Sequence, residues 1–258
     1  MSDDVLVSLS GSVATLTINR EERRNALNEG VVSSLTSELA RLAQDPAVRV
    51  AIITGAGDKA FCAGADLSGG TSRFGPDPSR TTHPYGDLLR AGHASPFPLI
   101  ARVNGLCLGG GMGVMAMCDL AVAADHAQFG LPEVKVGVFP MQVAAVLLPL
   151  IAPRDLAELC FTGEKTDAQA AQAMRLVNHV VSANELDTRT AQLAQSIAAN
   201  SPAAIRRGRH ALLSAAHMTF EQRLAFLEAQ IGLVAQTQDA REGIAAFNEK
   251  RKPVWTGR

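Results

Sequence analysis

The chain has 258 residues, and its 24 Lys and Arg nearly balance 25 Asp and Glu, which gives a net charge of −1. This balance argues against a dedicated nucleic-acid-binding protein and a polybasic membrane anchor, and an aromatic content of 4% argues against a platform for stacked bases. Hydrophobic residues make up 47% of the chain, which excludes a disordered protein and suffices for a sizeable core.

Short apolar runs alternate with helical patterns through the first two-thirds of the chain. Alternating residues on both sides of Ser10–Ser12 predict a β-hairpin, and Asn28 predicts the N-cap of a helix that ends near residue 43. The predicted strands are Val5–Leu9, Val13–Ile18, Val48–Ile53, Leu99–Val103 and Leu120–Ala124. Alternation of this kind is typical of an α/β architecture.

Segment Ser68–Gly86 interrupts this alternation. It is dense in Gly, Pro, Ser and Thr, so the sequence predicts a long loop without regular structure. A loop of this length inside a domain is typical of a functional lid or of a disordered segment.

The last third of the chain is predicted to be helical from about residue 183 onward. Pro153 and the pair Ser201–Pro202 suit helix starts, and Thr219 and Thr237 suit the N-caps of two further helices. An apolar stripe between these threonines suits either packing on the chain's own core or contact with a partner subunit. The stripe consists of Leu224, Leu227, Ile231, Val234 and Ala235. We predict an α/β core over residues 1–195 and a helical oligomerisation region over residues 196–258.

We expect neither a signal peptide nor a transmembrane helix, because the first residues are acidic and no run of about 18 apolar residues occurs. The four cysteines lie among small or apolar residues and form no CxxC pair, so we expect buried free thiols rather than disulfides or a zinc site. They are Cys62, Cys107, Cys118 and Cys160. A reducing cytoplasm is the expected location.

Two loops expose backbone that a ligand can approach. Gly109–Gly113 joins a strand to a helix, but Val114 stands where a dinucleotide-binding GxGxxG motif needs glycine. Unpaired N–H groups at such a helix start suit a negatively charged oxygen, whereas a tight turn with close packing explains the glycines equally well. Small residues over Ala63–Ala65 expose a second loop. Glu133 follows Pro132 at a predicted helix start, where it suits either proton transfer or stabilisation of that helix terminus.

Several motifs occur in register along nearly the whole chain. They are Asn25–Asn28, Ala60–Leu67, Val103–Gly105, Gly109–Gly111, Cys118–Asp119, Phe129–Glu133, Glu242–Gly243, Phe247 and Lys250–Lys252. Together they resemble the crotonase superfamily, also called the enoyl-CoA hydratase/isomerase family. The resemblance implies a spiral of ββα units, a C-terminal helical region for trimerisation and a homotrimer or hexamer. It also implies an acyl-CoA thioester as the substrate, no separate cofactor or metal, and no nucleic-acid or membrane partner.

The resemblance assigns roles to individual residues. The backbone N–H groups of Ala65 and Gly110 correspond to an oxyanion hole for the thioester oxygen, and Glu133 corresponds to a catalytic acid/base. The positions that correspond to the CoA-binding strip are Arg24, Ala26, Ala63, Asp66 and Leu67, with Lys250 or Lys252 supplied by a neighbouring subunit.

Gly113 departs from the family's pattern, since the hydratases of the family carry a second glutamate at this position. With Glu133 alone, we expect double-bond isomerisation or slow hydration of an enoyl-CoA. Met112, Gly113 and Phe139 are expected to shape the acyl pocket, although core packing explains Phe139 equally well. Two alternatives stay open: an oligomeric acyl-CoA binder with little catalysis, and another enolate reaction such as decarboxylation or thioester hydrolysis.

Overall fold

Two β-sheets form the framework of the computed structural model, which describes residues 4–68, 70, 75 and 77–258. The strands in these residues are β1 (Val5–Ser10), β2 (Val13–Ile18), β3 (Val50–Gly55), β4 (Ala60–Cys62), β5 (Leu99–Val103), β6 (Leu106–Leu108), β7 (Leu120–Ala124), β8 (Gln128–Gly130), β9 (Lys165–Asp167) and β10 (His179–Val181). The α-helices are α1 (Glu29–Leu42), α2 (Pro84–His93), α3 (Gly110–Ala116), α4 (Met141–Leu147), α5 (Pro153–Thr162), α6 (Ala168–Ala173), α7 (Leu186–Ala198), α8 (Pro202–Ala215), α9 (Phe220–Ala235) and α10 (Gln238–Asn248).

The larger sheet has the strand order β1-β2-β3-β5-β7-β10, and the smaller sheet has the order β4-β6-β8-β9. β1 and β2 form the predicted antiparallel hairpin, and the other neighbours in the larger sheet are parallel. Parallel neighbours need crossover connections, and helices such as α1 between β2 and β3 supply them. The predicted α/β fold is confirmed.

The predicted strands of the larger sheet are confirmed, with shifted boundaries in β1 and β3. β5 and β7 have the predicted bounds, and β1 is one residue longer than its apolar run. β3 begins at Val50 rather than Val48, because the N–H of Val48 donates to the carbonyl oxygen of Asp45 in the turn after α1. The strand continues to Gly55, which still pairs with Ile18.

Capping hydrogen bonds confirm the predicted helix starts. The side chain of Asn28 accepts a hydrogen bond from the N–H of Val31 at 2.7 Å, and α1 ends at Leu42. Ser201 caps α8 and Thr237 caps α10 in the same way, at 3.1 Å and 3.0 Å. Thr219 caps α9 through a reciprocal pair of hydrogen bonds with Gln222. Each cap satisfies an N–H group that has no partner within the helix.

The predicted loop Ser68–Gly86 ends earlier than expected. α2 begins at Pro84, and the ring of His83 accepts a hydrogen bond from the N–H of Tyr85 at 3.2 Å. A proline at the first helical position loses no hydrogen bond, so the composition of this stretch does not prevent a helix. The part of the prediction that falls on residues 69, 71–74 and 76 lies outside the described residues.

The smaller sheet is missing from the sequence-based prediction. Its strands have three residues each, which is too short for an alternating pattern to be recognised. The buried side chain of Asn104 joins it to the larger sheet, since its amide donates to the carbonyl oxygens of Gly55, Gly57 and Ala60 at 3.0, 2.7 and 3.2 Å. β4 and β6 are parallel neighbours, so the loops that follow them leave the sheet at the same edge.

The hydrophobic core has two parts. The larger part combines side chains of both sheets, α1, α3 and α5, and the smaller part packs the other face of the larger sheet against Leu186 and Ala194 of α7. Position 195 therefore lies inside a helix that packs on the sheet. All four cysteines are free and buried, which confirms the prediction of buried thiols.

The helical prediction for the C-terminal third is wrong for residues 249–258, because α10 ends at Asn248. The side chain of Asp239 holds the tail by accepting hydrogen bonds from the N–H groups of Thr256 and Gly257 at 2.8 Å and 3.0 Å. Pro253 cannot donate a backbone hydrogen bond, which disfavours a helix in this tail.

Helix α9 presents its apolar side chains to the surface of the single chain. None of its residues is buried, and Leu224 and Ile231 are 43% and 64% exposed. The apolar stripe therefore does not pack on the chain's own core. An exposed apolar face of this kind is typical of a protein–protein contact. In the described part of the chain, no helix has both the length and the apolar character to cross a membrane.

We expect the double variant Leu224→Glu/Ile231→Glu to lower the oligomeric mass of the protein, because charges buried in an apolar contact are costly. The matched control is Ala229→Glu, an exposed position on the opposite side of α9. Size-exclusion chromatography with light scattering measures the mass. A parent chain that is already monomeric, or a control that dissociates equally, would contradict this prediction.

Candidate active site

Two backbone N–H groups converge where the smaller sheet ends. Ala65 follows β4, and Gly110 begins α3 directly after β6. A Cβ atom added at Gly110 would lie 3.7 Å from the backbone nitrogen of Ala65, and one added at Gly64 would lie 3.6 Å from the nitrogen of Gly110. Within the described residues, neither N–H donates to a protein acceptor. The two donors therefore lie close together, and neither has an acceptor within the described residues.

The glycines at the start of α3 are required by close packing as well. A Cβ atom at Gly111 would lie 2.8 Å from the Cβ of Cys62 and would also collide with the carbonyl oxygen of that residue. Gly109 has a φ of +50°, in the region that favours glycine. The sequence offered two explanations for these glycines, close packing in a tight turn and an N–H group that is open to a ligand. The first applies to Gly109 and Gly111, and the second applies to Gly110.

The Glu133 carboxylate lies over this glycine turn. Glu133 is in a short 3₁₀-helix, Pro132–Val136, which follows β8 and has Pro132 at its first position. A Cβ atom at Gly109 would lie 2.8 Å from Oε1 of Glu133. Oε2 of Glu133 is buried and has no hydrogen-bond partner among the described residues. Burial raises the pKa of this carboxyl, so it holds a proton at higher pH than an ordinary glutamate.

A half-buried carboxylate near two unpaired amides is an arrangement suited to acyl-thioester chemistry. Comparison with known proteins identifies the family of the chain. A model of the enoyl-CoA hydratase/isomerase family matches residues 8–258. The chain belongs to this family. The crotonase resemblance is therefore confirmed.

Individual relatives cover the whole chain. The (E)-benzylidenesuccinyl-CoA hydratase of Thauera aromatica is 33% identical, over 98% of this chain and 99% of its own. The carnitinyl-CoA dehydratase of Escherichia coli O157:H7 is 34% identical over 100% of both chains. The solved structure of an enoyl-CoA hydratase from Bacillus anthracis has a TM-score of 0.90 at 32% identity, and covers 99% of this chain and 100% of its own. A structure from Mycobacterium smegmatis has a TM-score of 0.91 at 32% identity, over 98% of both chains.

Backbone pairing brings most of the predicted CoA-binding strip of this family member together. The N–H of Ala63 donates to the carbonyl oxygen of Arg24 at 3.0 Å, and the N–H of Asp66 donates to that of Leu27 at 2.9 Å. The two segments therefore run side by side at the edge that also carries the unpaired N–H groups of Ala65 and Gly110. These two neighbouring segments contain the predicted strip residues Arg24, Ala26, Ala63, Asp66 and Leu67.

Arg20, which sequence reasoning missed, ties the strip together. Its guanidinium donates to the carbonyl oxygen of Ala26 at 2.6 Å and to the carboxylate of Asp66 at 3.0 Å. Hydrogen bonds from Ser68 and Arg20 lower the pKa of Asp66 to about 2, so this carboxyl stays ionised. Arg20 belongs to no motif of the chain, and its role becomes visible only when the strip is folded.

Lys250 is the predicted CoA-binding residue that does not join the strip. It follows α10, which packs against α8 and α9. The expectation that Lys250 or Lys252 acts on a neighbouring subunit stays a prediction.

The predicted acyl-pocket residues have different surroundings. Met112 is completely buried in the core, whereas Phe139 is 36% exposed and its ring centroid lies 6.2 Å from that of Phe161. Gly113 is buried in α3, and a Cβ atom there would collide with the hydroxyl oxygen of Tyr85. The role of all three in binding an acyl chain stays a prediction.

Tyr85 is the second site residue, after Arg20, that sequence reasoning missed. It is the one tyrosine of the sequence and lies in the segment that was predicted to be a loop. Its hydroxyl donates a hydrogen bond to the carbonyl oxygen of Gly110 at 2.6 Å, and its ring packs against the core. Its position just after Pro84, which suits a helix start, was the signal that could have placed it on a helix.

The pKa shift of Glu133 makes a prediction about stability. We expect Glu133→Gln to raise the melting temperature relative to the parent chain more at about pH 8 than at about pH 5. Because the folded-state pKa of Glu133 lies above its ordinary value of 4.5, the folded protein binds more protons than the unfolded chain in the window above that value. Ionisation of Glu133 therefore lowers the free energy of unfolding as the pH rises through this window. The glutamine variant has no such ionisation, so its stability does not fall for this reason.

Thermal unfolding of both proteins at the two pH values measures the effect. Glu158→Gln, at an exposed position of α5, is the matched control. A pH-independent difference for Glu133→Gln, equal to that of the control, would contradict the assignment.

Proposed function

We propose that this member of the enoyl-CoA hydratase/isomerase family moves protons on the acyl chain of an enoyl-CoA, with Glu133 as the acid/base. The observation that carries the proposal is the unpartnered, buried Oε2 of Glu133 beside the two unpaired amides of Ala65 and Gly110. The amides are the proposed oxyanion hole for the thioester oxygen. Hydration, its reverse and a shift of the double bond all use these three groups.

The chemistry follows from where charge develops. When a proton leaves C2 of the acyl chain, the electron pair of that C–H bond moves into the thioester and places negative charge on its oxygen. Two fixed N–H donors stabilise this enolate more than they stabilise the neutral thioester, which lowers the barrier. Glu133 takes the proton, and its return to C4 of a 3-enoyl chain completes a double-bond shift.

The surroundings of Glu133 suit both steps of this reaction, in which the carboxylate accepts a proton and then returns it. An ordinary glutamate is a weak base near neutral pH, because its conjugate acid loses its proton too readily. Burial raises the pKa of Glu133, which brings its basicity closer to the pH at which it must accept and return a proton. The relatives described above, a hydratase and a dehydratase, support chemistry at the carbons next to the thioester.

The remaining assignments of the proposal concern binding and assembly. The strip that contains Arg24, Ala26, Ala63, Asp66 and Leu67 is the proposed surface for CoA. The exposed face of α9 is the proposed contact between copies of the chain, and Lys250 of one copy is proposed to reach the CoA on another. A cytoplasmic location stays a prediction.

Glu133→Gln is expected to lower turnover of enoyl-CoA by roughly 10²- to 10⁴-fold, because it removes the proton-transfer group and keeps the shape of the side chain. The assay supplies 2-enoyl and 3-enoyl thioesters of several chain lengths and follows the conjugated enoyl absorbance. Calorimetry with the same thioesters measures binding, which we expect to persist in the variant. Glu158→Gln is again the control.

An inactive parent chain that binds acyl-CoA would instead identify an oligomeric acyl-CoA binder. A product other than a hydrated or isomerised acyl-CoA, identified by mass spectrometry, would indicate a different enolate reaction. Unchanged turnover of Glu133→Gln would show that Glu133 is not the acid/base.

Gly110→Pro tests the oxyanion hole at its backbone. Proline is tolerated at the first position of a helix, and it deletes the N–H that the proposal needs. We expect a loss of transition-state stabilisation of about 2.7–4 kcal/mol, measured as kcat/KM. Gly110→Ala keeps the N–H and adds a Cβ atom 3.1 Å from Cδ1 of Leu27, so it is the matched control for crowding. Equal losses in the two variants would contradict the role of the N–H.

A further inference from the structure

Tyr85 fills the space next to Gly113. A Cβ atom at Gly113 would collide with the phenol oxygen of Tyr85 and would lie 3.4 Å from Cγ2 of Val143. A longer side chain at position 113 is therefore incompatible with Tyr85 in its present position. The position where the sequence lacks a second carboxylate is occupied by a polar oxygen from another helix.

The hydrogen bond of Tyr85 determines what this oxygen can do. Its proton is donated to the carbonyl oxygen of Gly110 at 2.6 Å. With its proton committed in this way, the phenol oxygen can still accept a hydrogen bond through its lone pairs. Burial, together with the nearby Cys62 and Glu133, raises the pKa of the phenol well above its ordinary value, so the group stays neutral. Tyr85 is thus a neutral hydrogen-bond acceptor on this side of the site.

Glu133 and Tyr85 flank consecutive residues of the glycine turn. The Glu133 carboxylate lies beside Gly109, and a Cβ atom at Gly110 would be 3.8 Å from Cε2 of Tyr85. Consecutive Cα atoms are about 3.8 Å apart, so the two side chains border the same small region. Gly110, whose N–H is one of the proposed oxyanion donors, is one of these two consecutive residues. A small molecule held there has an acceptor on each of two sides.

We propose that Tyr85 and Glu133 together hold the water that adds to an enoyl-CoA, so that the phenol replaces the second carboxylate as a hydrogen-bond acceptor. The inference rests on the proposed function of Glu133, Ala65 and Gly110. One O–H of the water donates to Glu133 and the other donates to the phenol oxygen of Tyr85. A lone pair of the water oxygen then faces C3 of the acyl chain.

The step balances without any further reactant. The water oxygen forms a bond to C3 as its O–H bond breaks and its proton passes to Glu133. The π pair of the C2=C3 bond moves into the thioester and gives the enolate that the two amides hold. Glu133 then returns the proton to C2, which yields the 3-hydroxyacyl thioester and the ionised carboxylate. Tyr85 keeps its proton throughout, and elimination of water is the same sequence in reverse.

This assignment bears on the choice between hydration and isomerisation. A site with one carboxylate and no other polar group favours isomerisation, because nothing orients a water. The phenol oxygen supplies the missing acceptor, so the structure favours hydration or dehydration. A purely structural role, in which Tyr85 only supports the first turn of α3, would affect every reaction that uses the Gly110 N–H equally.

The test compares two activities of Tyr85→Phe, which keeps the ring and removes the oxygen. The first is hydration of a short 2-enoyl-CoA. The second is exchange of the C2 protons of a saturated acyl-CoA with deuterium from D₂O, which needs Glu133 and the oxyanion hole but no bound water. We expect the ratio of hydration to exchange to fall roughly 10- to 100-fold, through kcat rather than KM.

Gly113→Ala provides a second route to the same loss, because the added Cβ atom displaces the phenol oxygen. The double variant Tyr85→Phe/Gly113→Ala should lose little more than either single variant, since both substitutions remove the same hydrogen bond from the phenol oxygen to the water. Thermal unfolding verifies that each variant is folded. Val143→Ala, which alters the other neighbour of Gly113 without touching the oxygen, is the matched control.

The outcomes distinguish a failure of the proposed function from a failure of the inference about Tyr85. Equal losses of hydration and exchange in Tyr85→Phe would make Tyr85 a structural support and overturn the inference, while leaving the proposed function intact. Unchanged hydration would overturn it as well. A parent chain that neither exchanges nor hydrates would overturn the proposed function and this inference together. Additive losses in the double variant would show that Gly113 and Tyr85 act independently, contrary to the proposal.

Discussion

The close approach of the Gly109–Gly111 backbone to the end of β4 is the constraint on which the site depends. These two segments of the chain lie so close together that a Cβ atom at Gly111 would collide with Cys62. Because β4 and β6 are parallel neighbours, their following loops emerge together, and the small residues in these loops let the backbone nitrogens of Ala65 and Gly110 lie close to each other. Asn104 supports this geometry, since its amide donates to the carbonyl oxygens of Gly55 at the end of β3, Gly57 in the following turn and Ala60 at the start of β4.

The electrostatics of the site follow from the same packing. Neutral backbone donors need no counter-charge, so they can be kept unpaired without the penalty of an unpaired buried ion. Glu133 is the ionisable group brought against the glycine turn, and burial raises its pKa. At the outer edge, the Arg20–Asp66 pair has the opposite character, because the pairing keeps Asp66 ionised. The protein thus separates a carboxyl whose pKa is raised by burial from a carboxyl that is held in its charged form.

Gly113 and Tyr85 are complementary in volume and in chemistry. Glycine on α3 leaves space for one phenol oxygen, and the hydroxyl of Tyr85 on α2 occupies that space and bonds to Gly110. The chemical consequence of glycine at position 113 therefore depends on Tyr85, which lies next to it in the fold. A departure from a family's sequence pattern removes a carboxylate, and the fold puts a different polar atom in its place.

The sequence by itself determined the α/β class, five of the six strands of the larger sheet, the capped helix starts and the two loops that bear Ala65 and Gly110, because periodicity, capping residues and glycines are local signals. It missed β10, which has only three residues. It could not determine the smaller sheet, whose three-residue strands carry no periodic pattern. It also could not show that Arg20 meets Asp66, or that Tyr85 meets Gly113. These pairs are 46 and 28 positions apart in the chain, and only tertiary packing brings side chains at such separations into contact.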